Sequence, residues 1–246
     1  MRVLHAYNRH RGRGGSDVAG ETTVRTTRES GIDVRTFVRD SRELPAGLSG
    51  RLQALTGGLY ARAAVRAFER EVREFRPDVV HVHELYPLIS PWILPRCTAL
   101  VVPVVMSCSD YRLTCPVTTH FSRGELCLRC LDGREHWAVL RNCRDSLPES
   151  LAYAAFGWVR RWFGLYERHV DRFVAPTEFL GRWLVDHARV PAERIVTVYP
   201  PVPIPDTVAD PAQGTYVAYA GRFAPGKGID VLLAAGRECG LPIRLS

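Results

Sequence analysis

Residues 216–228 read Tyr-Val-Ala-Tyr-Ala-Gly-Arg-Phe-Ala-Pro-Gly-Lys-Gly, and this stretch decides the fold class of the chain. Its first five residues are apolar and rich in β-forming side chains, which predicts a strand over Tyr216–Ala220. The segment that follows, Ile229–Glu238, repeats apolar residues at helical spacing and predicts a helix. A strand, a glycine-rich loop and a helix in this order are typical of one unit of a parallel α/β sheet.

The loop carries two cations, Arg222 and Lys227, just before the predicted helix begins. A helix N-terminus presents free N–H groups and the positive end of its dipole, so this loop is suited to hold an anion. The sequence approaches the nucleotide motif G-x-x-x-x-G-K-[ST], but Gly228 stands where that motif needs a hydroxyl for Mg²⁺. The open alternative is a surface loop with two solvated cations, which the order of strand, loop and helix disfavours.

The rest of the chain repeats the alternation of strands and helices. One predicted strand lies in the near-continuous apolar run Val101–Met106, as expected for a strand covered on both faces. The pattern predicts βαβ units on a parallel sheet. The predicted strands are Arg2–Tyr7, Asp33–Val38, Asp78–His83, Pro103–Cys108, Asp171–Ala175 and Arg194–Val198, and the predicted helices are Asp17–Ser30, Leu59–Phe75, Ser150–His169 and Glu178–Ala188.

A proline-dense stretch, Tyr199–Pro205, cannot continue a helix or a central strand and predicts an extended linker over 199–213. The sequence therefore predicts a Rossmann-like N-terminal domain over 1–198 and the beginning of a second Rossmann-like domain over 214–246. The second segment is too short to enclose its own core. We expect the chain to be a fragment, or to borrow its missing half from a partner.

Composition is ordinary for a globular α/β protein, with 46% hydrophobic and 24% charged residues. No signal-peptide pattern opens the chain, and no apolar run approaches the length of a transmembrane helix. Seven cysteines without such a signal favour a reducing compartment, so we expect a cytoplasmic location. The net charge of +7 suits a phosphorylated substrate, an anionic membrane surface or nucleic acid, and does not choose among them.

A second glycine-rich loop follows the first predicted strand and contains Gly14 and Gly15. Glycines there let the backbone approach a phosphate closely. Glycine turns before helices are common, so this loop alone leaves a plain turn and a phosphate site equally open.

Taken together, these loops and three further elements resemble the retaining glycosyltransferases of family 4. The pattern G-R-x-x-x-x-K-G around Arg222 and Lys227 is similar to the donor-phosphate loop of that family. The further elements are Arg76–His83 (Arg-Pro-Asp-Val-Val-His-Val-His), Tyr86–Pro91 (Tyr-Pro-Leu-Ile-Ser-Pro) and Asp110–Pro116 (Asp-Tyr-Arg-Leu-Thr-Cys-Pro). The combination covers nearly the whole chain and resembles a subgroup that assembles cell-surface or exported polysaccharides.

The resemblance implies a two-domain GT-B fold, with the acceptor held mainly by the first domain and the nucleotide-sugar by the second. It implies that Arg222 and Lys227 neutralise the donor diphosphate, which Gly14 and Gly15 face across the interdomain cleft. It also implies transfer with retention and without a metal. The partners it implies are a nucleotide diphosphate-sugar donor and a glycan or lipid-linked glycan acceptor.

Two candidate site residues, His83 and Glu84, lie at the carboxyl end of the third predicted strand, where open α/β sheets bind their ligands. We expect His83 to take part in catalysis and Glu84 to lie on the acceptor side. His81 shares a sheet face with His83 but lies deeper, so we expect it to be a packed core residue.

The element after the fourth predicted strand supplies the remaining candidates. The resemblance implies that Ser109 and Asp110 are catalytic and that Tyr111 and Arg112 contact the acceptor. Ser109 stands where the family commonly has a histidine that helps to position the donor sugar. Serine is shorter and does not titrate in the useful range, so we expect either that Asp110 or another group has taken part of the role, or that catalysis is weakened.

Four cysteines lie in or at the edge of a polar, irregular insertion over about 110–145: Cys115, Cys127, Cys130 and Cys143. Four thiolates suit a structural zinc ion, which would stabilise a poorly cored segment. Only Cys127 and Cys130 have the C-x-x-C spacing, so free thiols or a redox-labile pair remain as alternatives.

The predicted helix around Phe156–Tyr166 mixes aromatic residues with arginines, which suits an anionic membrane surface. Its apolar residues run nearly all round, which favours a buried helix instead.

The leading hypothesis is a retaining glycosyltransferase, in the cytoplasm or at the inner face of the cell membrane, that needs no metal for catalysis. The alternative is a non-catalytic binding or scaffold remnant without a complete donor site, and we expect residues 1–246 alone to be catalytically silent. A zinc-containing nucleic-acid binder is disfavoured because the sequence has no arginine-rich helix or aromatic ladder of a recognisable module.

Overall fold

The computed structural model describes residues 1–10, 12, 14–202, 205–208, 210–221, 223–224 and 227–246. The chain divides into two compact units. The first consists of Met1–His120 and Leu128–Val202, and the second of Phe121–Cys127 and Pro203–Ser246. No helix in the described ranges is both long enough and apolar enough to cross a bilayer.

Strands and helices alternate along the chain. The strands are β1 (Arg2–Arg9), β2 (Asp33–Asp40), β3 (Val79–Val82), β4 (Val104–Ser107), β5 (Phe121–Ser122), β6 (Glu125–Leu126), β7 (Arg172–Ala175), β8 (Ile195–Thr197), β9 (Val217–Tyr219) and β10 (Ile243–Leu245). The helices are α1 (Gly15–Glu29), α2 (Leu48–Tyr60), α3 (Arg62–Phe75), α4 (Leu94–Ala99), α5 (His136–Leu140), α6 (Leu147–Phe163), α7 (Glu178–Ala188) and α8 (Ile229–Cys239).

The first unit is built on a six-stranded sheet in the order β2-β1-β3-β4-β7-β8. Every neighbouring pair in this sheet is parallel. The sheet confirms the predicted α/β class and all six predicted strands of this part of the chain.

The core lies on the face of the sheet covered by α3. Val65, Phe68, Val72 and Phe75 are spaced by three and four residues, so they form one buried stripe of the helix. The Phe68 ring meets Phe37 of β2 edge to face, with 5.3 Å between ring centroids.

The opposite face of the sheet is less covered at β3 and β4. Val80 and Met106 point to the core and are fully buried, whereas His81 and Ser107 alternate with them and are partly exposed. Polar side chains of β3 and β4 therefore share a partly open face.

Two predicted helices have different bounds in the structure. The prediction over Leu59–Phe75 was wrong, because Ala61 leaves the helical region at φ −82° and ψ 72° and separates α2 from α3. The N–H of Ala61 donates instead to Ser90 Oγ at 3.3 Å. The prediction over Ser150–His169 extended too far, since Gly164 ends α6 in the left-handed conformation at φ 58°.

The second unit contains β9, α8 and β10, with the two strands parallel, and a separate antiparallel hairpin of β5 and β6. The strand predicted over 216–220 and the helix predicted over 229–238 are confirmed.

Candidate functional site

Three charged side chains meet beyond the carboxyl ends of β3 and β4, and we call them the Arg112 cluster: Glu84, Asp110 and Arg112. Nη1 and Nη2 of Arg112 contact the two carboxylate oxygens of Glu84. The same guanidinium contacts both oxygens of Asp110, with Nε 2.9 Å from Oδ1. Two carboxylates share one cation, so the cluster is net negative when it is ionised.

The cluster is largely removed from water, because the side chain of Arg112 is 9% exposed and that of Glu84 is 16% exposed. Burial disfavours the charge on Arg112, but the adjacent carboxylates outweigh burial and hold the pKa of Arg112 well above its usual value. The guanidinium is therefore a fixed charge that orients both carboxylates.

Buried Asn8 holds the loop that carries Glu84. Its N–H donates to the carbonyl oxygen of Glu84 at 2.5 Å, and its Oδ1 accepts from the N–H of Leu88 at 3.3 Å. Its Nδ2 donates to Ser41 Oγ at 2.8 Å. One side chain thus joins the ends of β1, β2 and β3. Asn8 was not predicted as a site residue from the sequence, although a polar residue at the end of an apolar strand was a signal for it.

Arg160 of α6 fixes the loop that carries Arg112. Its Nη2 donates to the carbonyl oxygen of Leu113 at 3.1 Å, and its Nη1 pairs with Glu167 at 3.3 Å. The side chain of Arg160 is buried, so this anchor is protected from solvent.

An open cleft of about 390 Å³ lies in the first unit among α2, α3 and the end of β2. Arg39, Glu43 and Arg62 line it, together with Leu88 from the loop that also carries Glu84. The cleft offers charged hydrogen-bonding groups near the carboxyl edge of the sheet, where open α/β folds bind their ligands.

The remaining candidates of the loop after β4 lie in different surroundings. Ser109 is exposed. The ring of Tyr111 packs against His120 and Trp183, at centroid distances of 5.3 and 5.2 Å. The structure therefore brings Asp110 into the Arg112 cluster and gives the Tyr111 ring a packing role.

His83 belongs to a group of three histidines rather than to the Arg112 cluster. Its Nε2 lies 3.1 Å from Nδ1 of His5, and its ring stacks on His81 at a centroid distance of 4.2 Å. Burial, together with the nearby His81 and His5, lowers the pKa of His83 well below its usual value. The ring is therefore neutral at pH 7.

The expectation that His81 is a packed core residue was wrong. His81 is partly exposed, and its Nε2 lies 2.8 Å from Ser107 Oγ. The fully buried histidine is His5 of β1, which pairs in register with His81. Burial lowers the pKa of His5 to about 4 and that of His81 to about 3. His5 and Ser107 were missed, because only the pairing of β3 with β1 on one side and with β4 on the other places them beside His81.

The glycine-rich loop after β1 is held by Asp17 of α1. Its carboxylate accepts from the N–H of Gly14 at 3.0 Å and from that of His10 at 3.1 Å. Among the described residues, no atom lies within 4 Å of the position that a Cβ on Gly15 would occupy. The backbone at Gly15 is thus open to a ligand.

The anion loop of the second unit runs from the end of β9 to the start of α8. Gly228 takes the left-handed conformation at φ 69° directly before the helix, which favours glycine there. Lys227 is exposed, and its N–H donates to the carbonyl oxygen of Ala224 at 3.1 Å. Arg222, the other predicted diphosphate ligand, lies outside the described residues.

The four cysteines are divided between the units, with Cys127 in the second and the other three in the first. Among the described residues, the three histidines gather ligand atoms within 4.8 Å of one another. Burial raises the pKa of Cys115, which disfavours a thiolate there without a cation. Zinc at the cysteines stays a prediction.

We expect metal analysis to find about one equivalent of cysteine-bound zinc, lost in Cys130→Ser and retained in Cys239→Ser, because Cys239 is an exposed residue of α8. A chelator should then increase proteolysis between residues 114 and 145. Equal zinc content and equal proteolysis in both variants would contradict the cysteine site.

The aromatic helix α6 is only partly buried, contrary to the interpretation that favoured burial. Phe156 and Arg160 face inward, whereas Trp158 is 40% exposed, Trp162 is 83% exposed and Phe163 is 47% exposed. The helix thus presents an aromatic surface to solvent.

The family model of Glycosyltransferase Family 4 matches residues 13–204 of the chain. A search of curated proteins gave no significant match. Structures of similar fold include HepE from Anabaena with UDP and glucose (15% identity, TM-score 0.53, covering 100% of this chain and 60% of that one), UGT89C1 from Arabidopsis thaliana with UDP-L-rhamnose (14%, 0.53, 100% and 64%) and a glycosyltransferase from Rickettsia africae (10%, 0.50, 99% and 59%).

At these identities the likeness establishes the fold, and the chain spans about three fifths of the length of each of the three structures. The family match is broader evidence, because it covers most of the chain and includes both the Gly14 loop and the Arg112 cluster. The parallel six-stranded sheet agrees with it. The chain belongs to glycosyltransferase family 4 and has the fold of the GT-B enzymes.

Proposed function

We propose that this protein transfers a sugar from a nucleotide diphosphate-sugar to a hydroxyl of a glycan or lipid-linked glycan, with retention of configuration and without a metal in the transfer step. Two structures similar to this chain hold UDP or a UDP-sugar, which supports a donor of that class. In this proposal the first unit binds the acceptor, and the anion loop of the second unit binds the donor diphosphate.

The Arg112 cluster is the observation that carries the proposal. It lies at the carboxyl edge of a parallel sheet, where open α/β folds bind their ligands. Glu84 and Asp110 present carboxylate oxygens that can accept hydrogen bonds from sugar hydroxyls, and the guanidinium keeps these oxygens in place. Arg222 and Lys227 would stabilise the departing diphosphate as its charge develops.

The exposed aromatic surface of α6 favours peripheral association of the protein with a membrane. Trp158, Trp162 and Phe163 are exposed, and Arg161 lies among them with a side chain that is 42% exposed. Aromatic rings and arginines bind the interface of an anionic leaflet. We infer a cytoplasmic protein that is peripheral at the inner face of the cell membrane, where a lipid-linked acceptor would be available.

We expect residues 1–246 alone to be catalytically silent, so the reaction is tested in the complete enzyme, incubated with a panel of nucleotide diphosphate-sugars and a lipid-linked acceptor extract, with product detection by mass spectrometry. We expect one donor to be consumed, and NMR of the product should give the anomeric configuration of that donor. Donor binding without transfer would favour the non-catalytic alternative, and an inverted product would contradict retention.

Replacing Gly15 by alanine should separate donor binding from stability. The added Cβ meets no described atom within 4 Å, so the thermal unfolding temperature should not fall. A methyl group should hinder a phosphate that approaches this backbone, and we expect the donor KM to rise about tenfold, the effect of about 1.4 kcal/mol. Gly20→Ala is the control, because it adds a methyl group to the same helix, also without a described contact. Equal donor KM in the two variants would exclude the Gly15 contact.

A further inference from the structure

The three histidines occupy one face of two adjacent parallel strands. His5 of β1 pairs in register with His81 of β3. His83 follows two residues later, just beyond the end of β3. The ring centroids are 5.0 Å apart for His5 and His81 and 5.4 Å apart for His5 and His83. One nitrogen from each ring lies within 4.8 Å of the others.

These distances suit three ligands of one metal ion. Zinc–nitrogen bonds of 2.0–2.1 Å place two ligands of a tetrahedral ion about 3.3 Å apart. Nδ1 of His5 and Nε2 of His83 are 3.1 Å apart, which is close to that separation. Ser107 Oγ can accept from the N–H of His81 Nε2, which leaves the lone pair of His81 on Nδ1.

The side chain of His5 is fully buried, and its Nε2, which is not the nitrogen that faces His83, has no hydrogen-bond partner among the described residues. When Nδ1 binds an ion, the ring proton lies on this Nε2, and a water molecule is needed to accept it. His81 and His83 are partly exposed, so an ion can reach the group from solvent.

The chemistry of the ligand set selects the kind of ion. The set contains three neutral imidazoles, so each ring has a lone pair to give. Imidazole suits zinc, copper and nickel, whereas magnesium and calcium prefer oxygen ligands. We propose that His5, His81 and His83 bind one divalent transition-metal ion of the zinc and copper class, with a water molecule completing its coordination. The ion links β1 to β3, and a ring nitrogen of His83 is one of its ligands.

The test is a titration of the chelator-treated protein with Co²⁺, followed by its visible absorption and by competition with Zn²⁺. In the Cys130→Ser variant, which removes the predicted cysteine site, we expect one saturable equivalent that Mg²⁺ does not displace. Histidine ligation should give no thiolate charge-transfer band, which distinguishes this site from one at the cysteines. Binding should weaken by at least about tenfold in His81→Asn and in His83→Gln.

His169→Asn is the matched control, because His169 is a partly exposed histidine of the same unit whose ring contacts Thr98. It should leave Co²⁺ binding unchanged, and circular dichroism should verify that each variant is folded. If His81→Asn does not fold, His83→Gln decides the question, since His83 is partly exposed and its strand pairing uses only the backbone. The proposal is overturned if the protein shows no saturable equivalent, if His83→Gln binds as tightly as the parent, or if Cys130→Ser abolishes the same signal.

Discussion

Replacing Arg112 by methionine is expected to lower the free energy of unfolding of the first unit by about 3–5 kcal/mol, because it leaves two largely buried carboxylates without their cation. Methionine keeps much of the side-chain volume of arginine, so the decrease in the free energy of unfolding would come from the missing charge and not from a cavity. For a unit of this size the expected fall in Tm is about 6–20 °C, measured by calorimetry. The Tm of Arg112→Lys should lie between those of the parent and of Arg112→Met, since a lysine cannot bind both carboxylates in bidentate fashion.

The chain supplies its own control in the pair Asp40 and Arg42. Arg42 binds the aspartate two residues before it through its N–H, Nε and Nη2, as Arg112 binds Asp110. The side chain of Arg42 is 65% exposed and that of Asp40 is 17% exposed, but Asp40 keeps a second cation when Arg42 is removed, because Arg9 Nη1 lies 3.9 Å from its carboxylate. Arg42→Met should leave the Tm nearly unchanged. Equal losses in Arg42→Met and Arg112→Met would show that the Arg112 cluster is not held by buried charge.

The strands could be predicted to within about two residues because strands of a parallel sheet are buried and apolar along most of their length. Val79–Val82 and Val104–Ser107 are examples. The helices were harder, since apolar spacing continues through Ala61 although the backbone breaks there. The signal for the end of α6 was Gly164, a common residue after a helix.

Only part of the candidate site could be predicted from the sequence. Glu84 was named from its place at the end of a strand and Arg112 from family resemblance, but their contact joins residues that follow different strands and depends on the order of the sheet. The histidine group depends on the register of β1 against β3, which no local pattern contains. Local signals thus predict elements and their ends, whereas contacts between strand ends require the topology.

In the complete enzyme, Lys227→Ala is expected to reduce kcat/KM for the donor by about 30- to 1,000-fold, or about 2–4 kcal/mol of transition-state stabilisation. Lys227 lies one residue before the left-handed Gly228 that opens α8. The hydrogen bond from its N–H to the carbonyl oxygen of Ala224 holds its backbone there, so little ordering is needed when a diphosphate binds. The charge that develops on the leaving diphosphate would lose one fixed cation, and kcat should fall more than KM rises.

Arg237→Ala is the control for this prediction, because it removes one exposed cation from the last turn of the same helix. A general loss of positive charge would affect the two variants alike, whereas a contact with the diphosphate affects only Lys227→Ala. Since Lys227 is exposed, its contribution should also decrease as salt is added, with a smaller ratio between parent and variant at high ionic strength. If Lys227→Ala matches Arg237→Ala in kcat and in donor KM, the loop before α8 does not bind the donor diphosphate, and the positive charge of the chain serves another surface.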